Sequence, residues 1–159
     1  MKKHTYSLTH DLNGSLYAAL LDAALADCRF VVLTLPPRFL LSRQTRKVLK
    51  RLKPYLVEDK WTDDAAGAVQ LGTRIHEFRY TYNLHSATIL KNVSDSLFGW
   101  RQPQRPENLS LRRPDLSYWL VSAGDQQSGW FTLTQLEWQQ LRQAVPGIES
   151  VVKPMTNQR

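Results

Sequence analysis

The run Phe30–Leu35 (FVVLTL) limits what this chain can fold into more than any other segment. Successive side chains of a strand point to opposite faces. Here both sets are apolar, so the strand belongs in the middle of a sheet with helices packed on one or both sides. The flanking segments fit that demand. Residues 3–9 alternate weakly and read as an edge strand. Asp11 or Asn13 is placed to cap a helix reaching about residue 27, with Leu12, Leu16, Leu20 and Ala23 or Ala24 at helical spacing. Residues 73–82 (TRIHEFRYTY) read as a second strand, with His76, Phe78, Tyr80 and Tyr82 on one face. Asn83 caps a helix expected to run to about Phe98, with Gly99 at its C′ position.

Residues 101–115 (RQPQRPENLSLRRPD) hold four arginines and three prolines. They read as a connector, or as a surface strap packed through Leu109 and Leu111. Residues 116–123 and 130–133 form a hairpin around Gly124–Gly129. Thr134 and Glu137 are spaced as a capping box, with Leu133 and Trp138 placed as a hydrophobic staple. Residues 148–152 end the pattern with a short strand. The expected architecture is α+β: one mixed sheet of about five to six strands with three to four packed helices. It forms a single domain over residues 1–153, followed by a loose tail over 154–159.

Charge is distributed unevenly along this frame. Residues 38–53 (RFLLSRQTRKVLKRLK) carry seven cations and no acid, which equals the formal net charge of +7 for all 159 residues. At 100° per residue, Leu41, Thr45, Val48, Leu49 and Leu52 share one side of a helix over 41–53. Arg43, Arg46, Lys47 and Lys50 share the other, with Arg51 and Lys53 flanking. Ser42 or the Pro36–Pro37 pair starts this helix, and Pro54 ends it. A concentrated basic face suggests an anionic partner. Two ordinary explanations compete with that one. Cations in a last helical turn simply complement the dipole, and the acids of 57–64 (VEDKWTDD) are placed to fold back and shield the helix.

Chemistry is harder to find. His4, His10, His76 and His85 form no H-E-x-x-H pair. The single Cys28 excludes an intrachain disulfide and the cysteine-rich zinc sites. Phosphate-loop, dinucleotide and α/β-hydrolase signatures are missing. His76, Glu77 and His85 are the remaining acid–base candidates, but His76 and Glu77 point to opposite strand faces. A nucleophilic Cys28 would need a histidine placed by the fold. The expectation is therefore a non-enzyme with no cofactor and no metal. Without an apolar run near 18 residues or a secretory leader, the cytoplasm is the default location.

The segment GWRQPQRPENLSLRRPDLSYWLVS, with the later F-T-L-T-x-x-E-W helix start, resembles short stand-alone bacterial proteins of unassigned function. That resemblance implies a bacterial, single-domain, non-secreted protein and carries no site residues. The leading functional expectation is a binding module of inhibitor, immunity or adaptor type. It presents Arg43, Arg46, Lys47, Lys50, Arg51 and Lys53 to an acidic protein, with Arg101, Arg105, Arg112, Arg113, Trp61 and Trp100 as further contacts. The alternative is a nucleic-acid-binding accessory protein that grips phosphates with the same helix and the connector arginines.

Overall fold

The computed structural model describes residues 1–36, 41–63 and 74–155. In chain order the elements are β1 (Lys3–Leu8), α1 (Ser15–Ala24), β2 (Phe30–Leu35), α2 (Arg43–Leu52), β3 (Leu56–Thr62), β4 (Ile75–Thr81) and α3 (Leu84–Val93). They continue with β5 (Glu107–Arg112), β6 (Tyr118–Ala123), β7 (Ser128–Thr134), α4 (Gln135–Ala144) and β8 (Val152–Pro154). The strands form one sheet of eight, in the order β3-β4-β2-β5-β6-β7-β1-β8. Each neighbouring pair is antiparallel.

This corrects two expectations. The sheet is antiparallel throughout, because β1 and β2, the ends of an apparent β-α-β unit, are separated by β5, β6 and β7. Among the described residues there are eight strands, because two arise where the pattern gave no sign of them. The acid-rich segment after α2 is β3, an edge strand exposed on both faces, which leaves it no apolar alternation to read. The Pro/Arg-rich connector contains β5, a central strand with Leu109 and Leu111 fully buried.

Pairing register carries one row of core side chains across the sheet: Tyr80, Val31, Leu111, Leu120, Phe131 and Tyr6. The apolar stripes of all four helices join this row in one contiguous core. Residues of opposite parity face away from the helices. There the Glu77–Arg112 ion pair (3.5 Å) joins β4 to β5 across the intervening β2. Glu77 stands opposite Thr34 and Arg112 opposite Phe30, so the pair spans Val32, which is buried.

Polar bonds lock the helices to the loops. Trp100 donates to the Tyr17 hydroxyl (3.0 Å), which donates to the Leu90 carbonyl (2.8 Å). Burial pushes the Tyr17 hydroxyl pKa up. The Thr134–Glu137 capping box forms as expected, and Asn83 is capped reciprocally by Ser86. Helix α1 begins without a side-chain cap, at Gly14. Asp11 instead accepts a hydrogen bond from the Phe98 amide (2.9 Å). Helix α3 stops at Val93, five residues before the expected end, and Ser94 and Ser96 organise a turn that contains Gly99. Gly124 lies so close to Trp100 that a Cβ there would meet its carbonyl oxygen at 2.6 Å. Residues 148–151 form a 3₁₀ turn, and the last strand follows it; Pro154, taken as the start of the tail, pairs with Tyr6 in β8.

No helix among the described residues is long and apolar enough to cross a membrane.

Candidate functional site

Helix α2 takes the phase its sequence dictates. Ser42 caps it by accepting from the Thr45 amide (3.0 Å). Thr45, Val48 and Leu52 are buried against the core layer, and Leu41 and Leu49 are half-buried. Pro54 falls in a 3₁₀ turn, Lys53–Tyr55, that hands the chain to β3. The opposite face is exposed and carries Arg43, Arg46, Lys47, Lys50 and Arg51, with Lys53 following. Arg38 lies outside the described residues.

Glu58 and Asp59, the two acids of β3, are engaged with β4. Glu58 pairs with Arg79 (3.0 Å), and Asp59 accepts from His76 Nε2 (3.0 Å). Asp64 is outside the described residues. Among the described residues, no carboxylate comes within ion-pair distance of any of the six cations. Among the described residues the basic face thus carries no charge partner of its own.

The connector arginines behave differently, and three of the four do not serve as outward contacts. Arg105 turns inward and donates to the carbonyls of Val93 (2.9 Å) and Gly99 (3.0 Å), closing the C-terminal end of α3. Arg112 lies over the Tyr118 ring (4.3 Å to its centroid), donates to its hydroxyl, and pairs with Glu77. Arg113 is buried. Its guanidinium holds both carboxylate oxygens of Glu137 (2.7 and 3.0 Å) and the carbonyls of Tyr118 and Thr132 (both 2.7 Å). Burial pushes the Glu137 carboxyl up, but the bonds from Arg113 and the Thr134 amide outweigh it and hold the group below the ordinary carboxylate range. Only Arg101 is exposed, at a cleft shared with Asp95 and Asp125.

The two basic segments still meet. The Thr45 hydroxyl donates to the Pro103 carbonyl (3.1 Å), which seats α2 on the connector. Between them lies a cleft of about 250 Å³ lined by Gln44, Lys47, Val48, Val93, Gln104 and Arg105. The tryptophans divide as well. Trp61 is 52% exposed and stacks on His76 (4.6 Å between centroids). Trp100 is 0% exposed and bonded to Tyr17, so it belongs to the core and not to an interface. Its place beside the Pro-rich stretch that follows gives no sign of this burial in the sequence.

Residues considered for catalysis are dispersed. Cys28 is buried and its thiol is pushed up by that burial. His76 stacks between Trp61 and Phe78. His85 is exposed in the first turn of α3, and Glu77 faces away from the helical layer. Among the described residues no group of three or more His, Cys, Asp or Glu side chains is arranged to hold a metal. One acidic group that sequence reasoning took for the end of a helix does stand out. Asp27 lines a cleft of about 280 Å³ between α1 and α4, and burial, followed by the charge of Glu137, raises its carboxyl pKa. Its proximity to Glu137 arises only from packing, so no local motif could reveal it.

Comparison with protein-family models, curated proteins and solved structures gives no match.

Proposed function

We propose that this chain is a non-catalytic binding module, of inhibitor, immunity or adaptor type, that presents the exposed face of α2 to an acidic protein. One observation carries this reading: six cations share an exposed surface with no carboxylate beside them among the described residues, while Glu58 and Asp59, which follow, are engaged with β4. Electrostatic complementarity at such a face raises the association rate and selects the partner. The half-exposed Trp61, on the strand that follows α2, supplies an aromatic side chain of the kind enriched at interfaces.

The nucleic-acid alternative loses most of its second element, because Arg105, Arg112 and Arg113 are engaged inside the protein. Gln44 is the only amide on α2, which leaves little for reading bases.

The test is fluorescence anisotropy of a labelled polyglutamate peptide, duplex DNA and single-stranded RNA, titrated with the protein and with an Arg43→Glu/Lys47→Glu/Lys50→Glu variant. The expected result is binding of the acidic peptide by the native chain only. Stronger binding of DNA or RNA, falling by orders of magnitude between about 50 and 200 mM salt and lost in the variant, would transfer the site to nucleic acid. Failure to bind any polyanion at the lowest salt would overturn the reading.

A further inference from the structure

The sheet has two edges, and they differ. At one edge, β8 has three residues and ends in proline, two features that blunt an edge against pairing. At the other, β3 has seven residues and no proline, and its one irregularity in register, between Leu56 and Glu58, leaves Glu58–Thr62 regular. Among the described residues it is the last strand of the sheet, with β4 on one side only. Leu56, Val57 and Trp61 on this strand are 37%, 48% and 52% exposed.

We propose that β3 pairs antiparallel with β3 of a second copy of this chain, about a two-fold axis at Asp59 normal to the sheet. Such an interface is isologous: residue i meets j, and j meets i. Centred on Asp59, the register sets Glu58 opposite Lys60 of the second copy and Lys60 opposite its Glu58. Val57, at the bulge of β3, then adjoins Trp61 of the second copy.

Charge selects this register. Within the chain, Glu58 stands opposite Arg79 and Lys60 opposite Glu77. Joining two copies extends each pair into a row of alternating sign: Glu77, Lys60, then Glu58 and Arg79 of the second copy. Sliding the strands by two residues in either direction puts Glu58 on Glu58 or Lys60 on Lys60, and like charges directly opposite are unfavourable. Charges on an edge strand deter indiscriminate pairing; here they leave one symmetric arrangement satisfied. Its cost is the meeting of two Asp59 carboxylates at the axis, each also held by His76 of its own chain. Because the axis is normal to the sheet, the helical layers of both copies lie on the same side, and both α2 faces point that way.

The experiment is sedimentation velocity on the full chain from micromolar to submillimolar concentration, with folding of each variant checked by circular dichroism. The native chain is expected to show a concentration-dependent dimer. Lys60→Glu sets glutamate against Glu58 in both symmetry-related rows and raises the dimer dissociation constant about tenfold or more. Reversing both charges (Glu58→Lys/Lys60→Glu) restores the pairs across the interface and recovers association relative to Lys60→Glu alone, although it breaks the pairs within the chain. Asp59→Asn removes the repulsion at the axis, keeps an acceptor for His76, and tightens the dimer. A monomer at every concentration, for the native chain and Asp59→Asn alike, would overturn the proposal. So would a dimer indifferent to all three changes, since it would form through another surface.

Discussion

Two groups of cations in this chain have opposite fates. Those of α2 point outward with no carboxylate beside them among the described residues, whereas three of the four connector arginines point inward and hold the fold together. Their composition reflects the difference. The connector uses arginine alone, and α2 mixes arginine and lysine equally over 43–53. A guanidinium is planar and donates five hydrogens in a fixed fork, so one side chain can satisfy several acceptors at once. Arg113 does this for Glu137 and two carbonyls. An ammonium is a compact, strongly hydrated charge that favours solvent, and Lys47, Lys50 and Lys53 remain there. Positive charge therefore takes two placements in one chain, and composition alone does not separate them.

The sharpest way to break this comparison is to remove Arg113. Its side chain and that of Glu137 are 10% and 13% exposed, so Arg113→Ala leaves a largely buried carboxylate without its partner. Breaking such a pair costs about 3–5 kcal/mol. Urea unfolding at neutral pH measures the loss. Arg113→Lys should recover only part of it, because an ammonium cannot reproduce the fork. The same pair carries a pH signature. Glu137 has a depressed pKa in the folded chain, so its contribution is present above the unfolded carboxylate value and disappears as pH falls through the depressed folded value. The native chain should lose stability over that acidic window, and Arg113→Ala should lose less there. Equal slopes in the two proteins would show that the pair is not what holds Glu137 down.

Arg105 is the intermediate case. It faces the α2 cleft but bonds to the end of α3. Arg105→Ala frees the Val93 and Gly99 carbonyls, which are replaced at best by water, and about 1–2 kcal/mol is expected to go with them. Thermal unfolding checks this. A change indistinguishable from zero would move Arg105 into the outward group and lengthen the basic surface.

These examples also mark where the sequence could be read and where it could not. The direction of each α2 side chain follows from helical periodicity, since Thr45, Val48 and Leu52 recur at spacings of three and four. The Ser42 cap, the Thr134–Glu137 box and the β6–β7 hairpin are equally local, and all three form. Strand β3 has no such signal, because an edge strand exposed on both faces buries nothing that would impose a period of two. Arg113 meets Glu137 across 24 residues, and Trp100 meets Tyr17 across 83; only tertiary packing makes those contacts. Half of the candidate surface was thus legible as one amphipathic helix. The connector half was not, because the fate of an arginine depends on which acceptors the fold brings within its reach.

The smallest expected effect on stability decides the other side of the comparison. Each of the three reversals in Arg43→Glu/Lys47→Glu/Lys50→Glu removes two units of charge, which takes the formal net charge from +7 to +1. At α2 the local terms offset one another. Glutamate at 43 sits in the first helical turn, where a negative charge is favourable, and glutamate at 50 sits in the last, where it is not. Each is worth about 0.3–1 kcal/mol, with opposite signs. No ion pair among the described residues is broken, and the buried stripe is untouched. Urea unfolding should therefore place this variant within about 0.5 kcal/mol of the native chain, as for other surface changes. A loss as large as that of Arg105→Ala would mean that the α2 cations support the fold after all. A neutral result combined with lost binding of the acidic peptide would separate the two groups, because a charge reversal this large can leave stability unchanged only if the fold makes no use of these side chains.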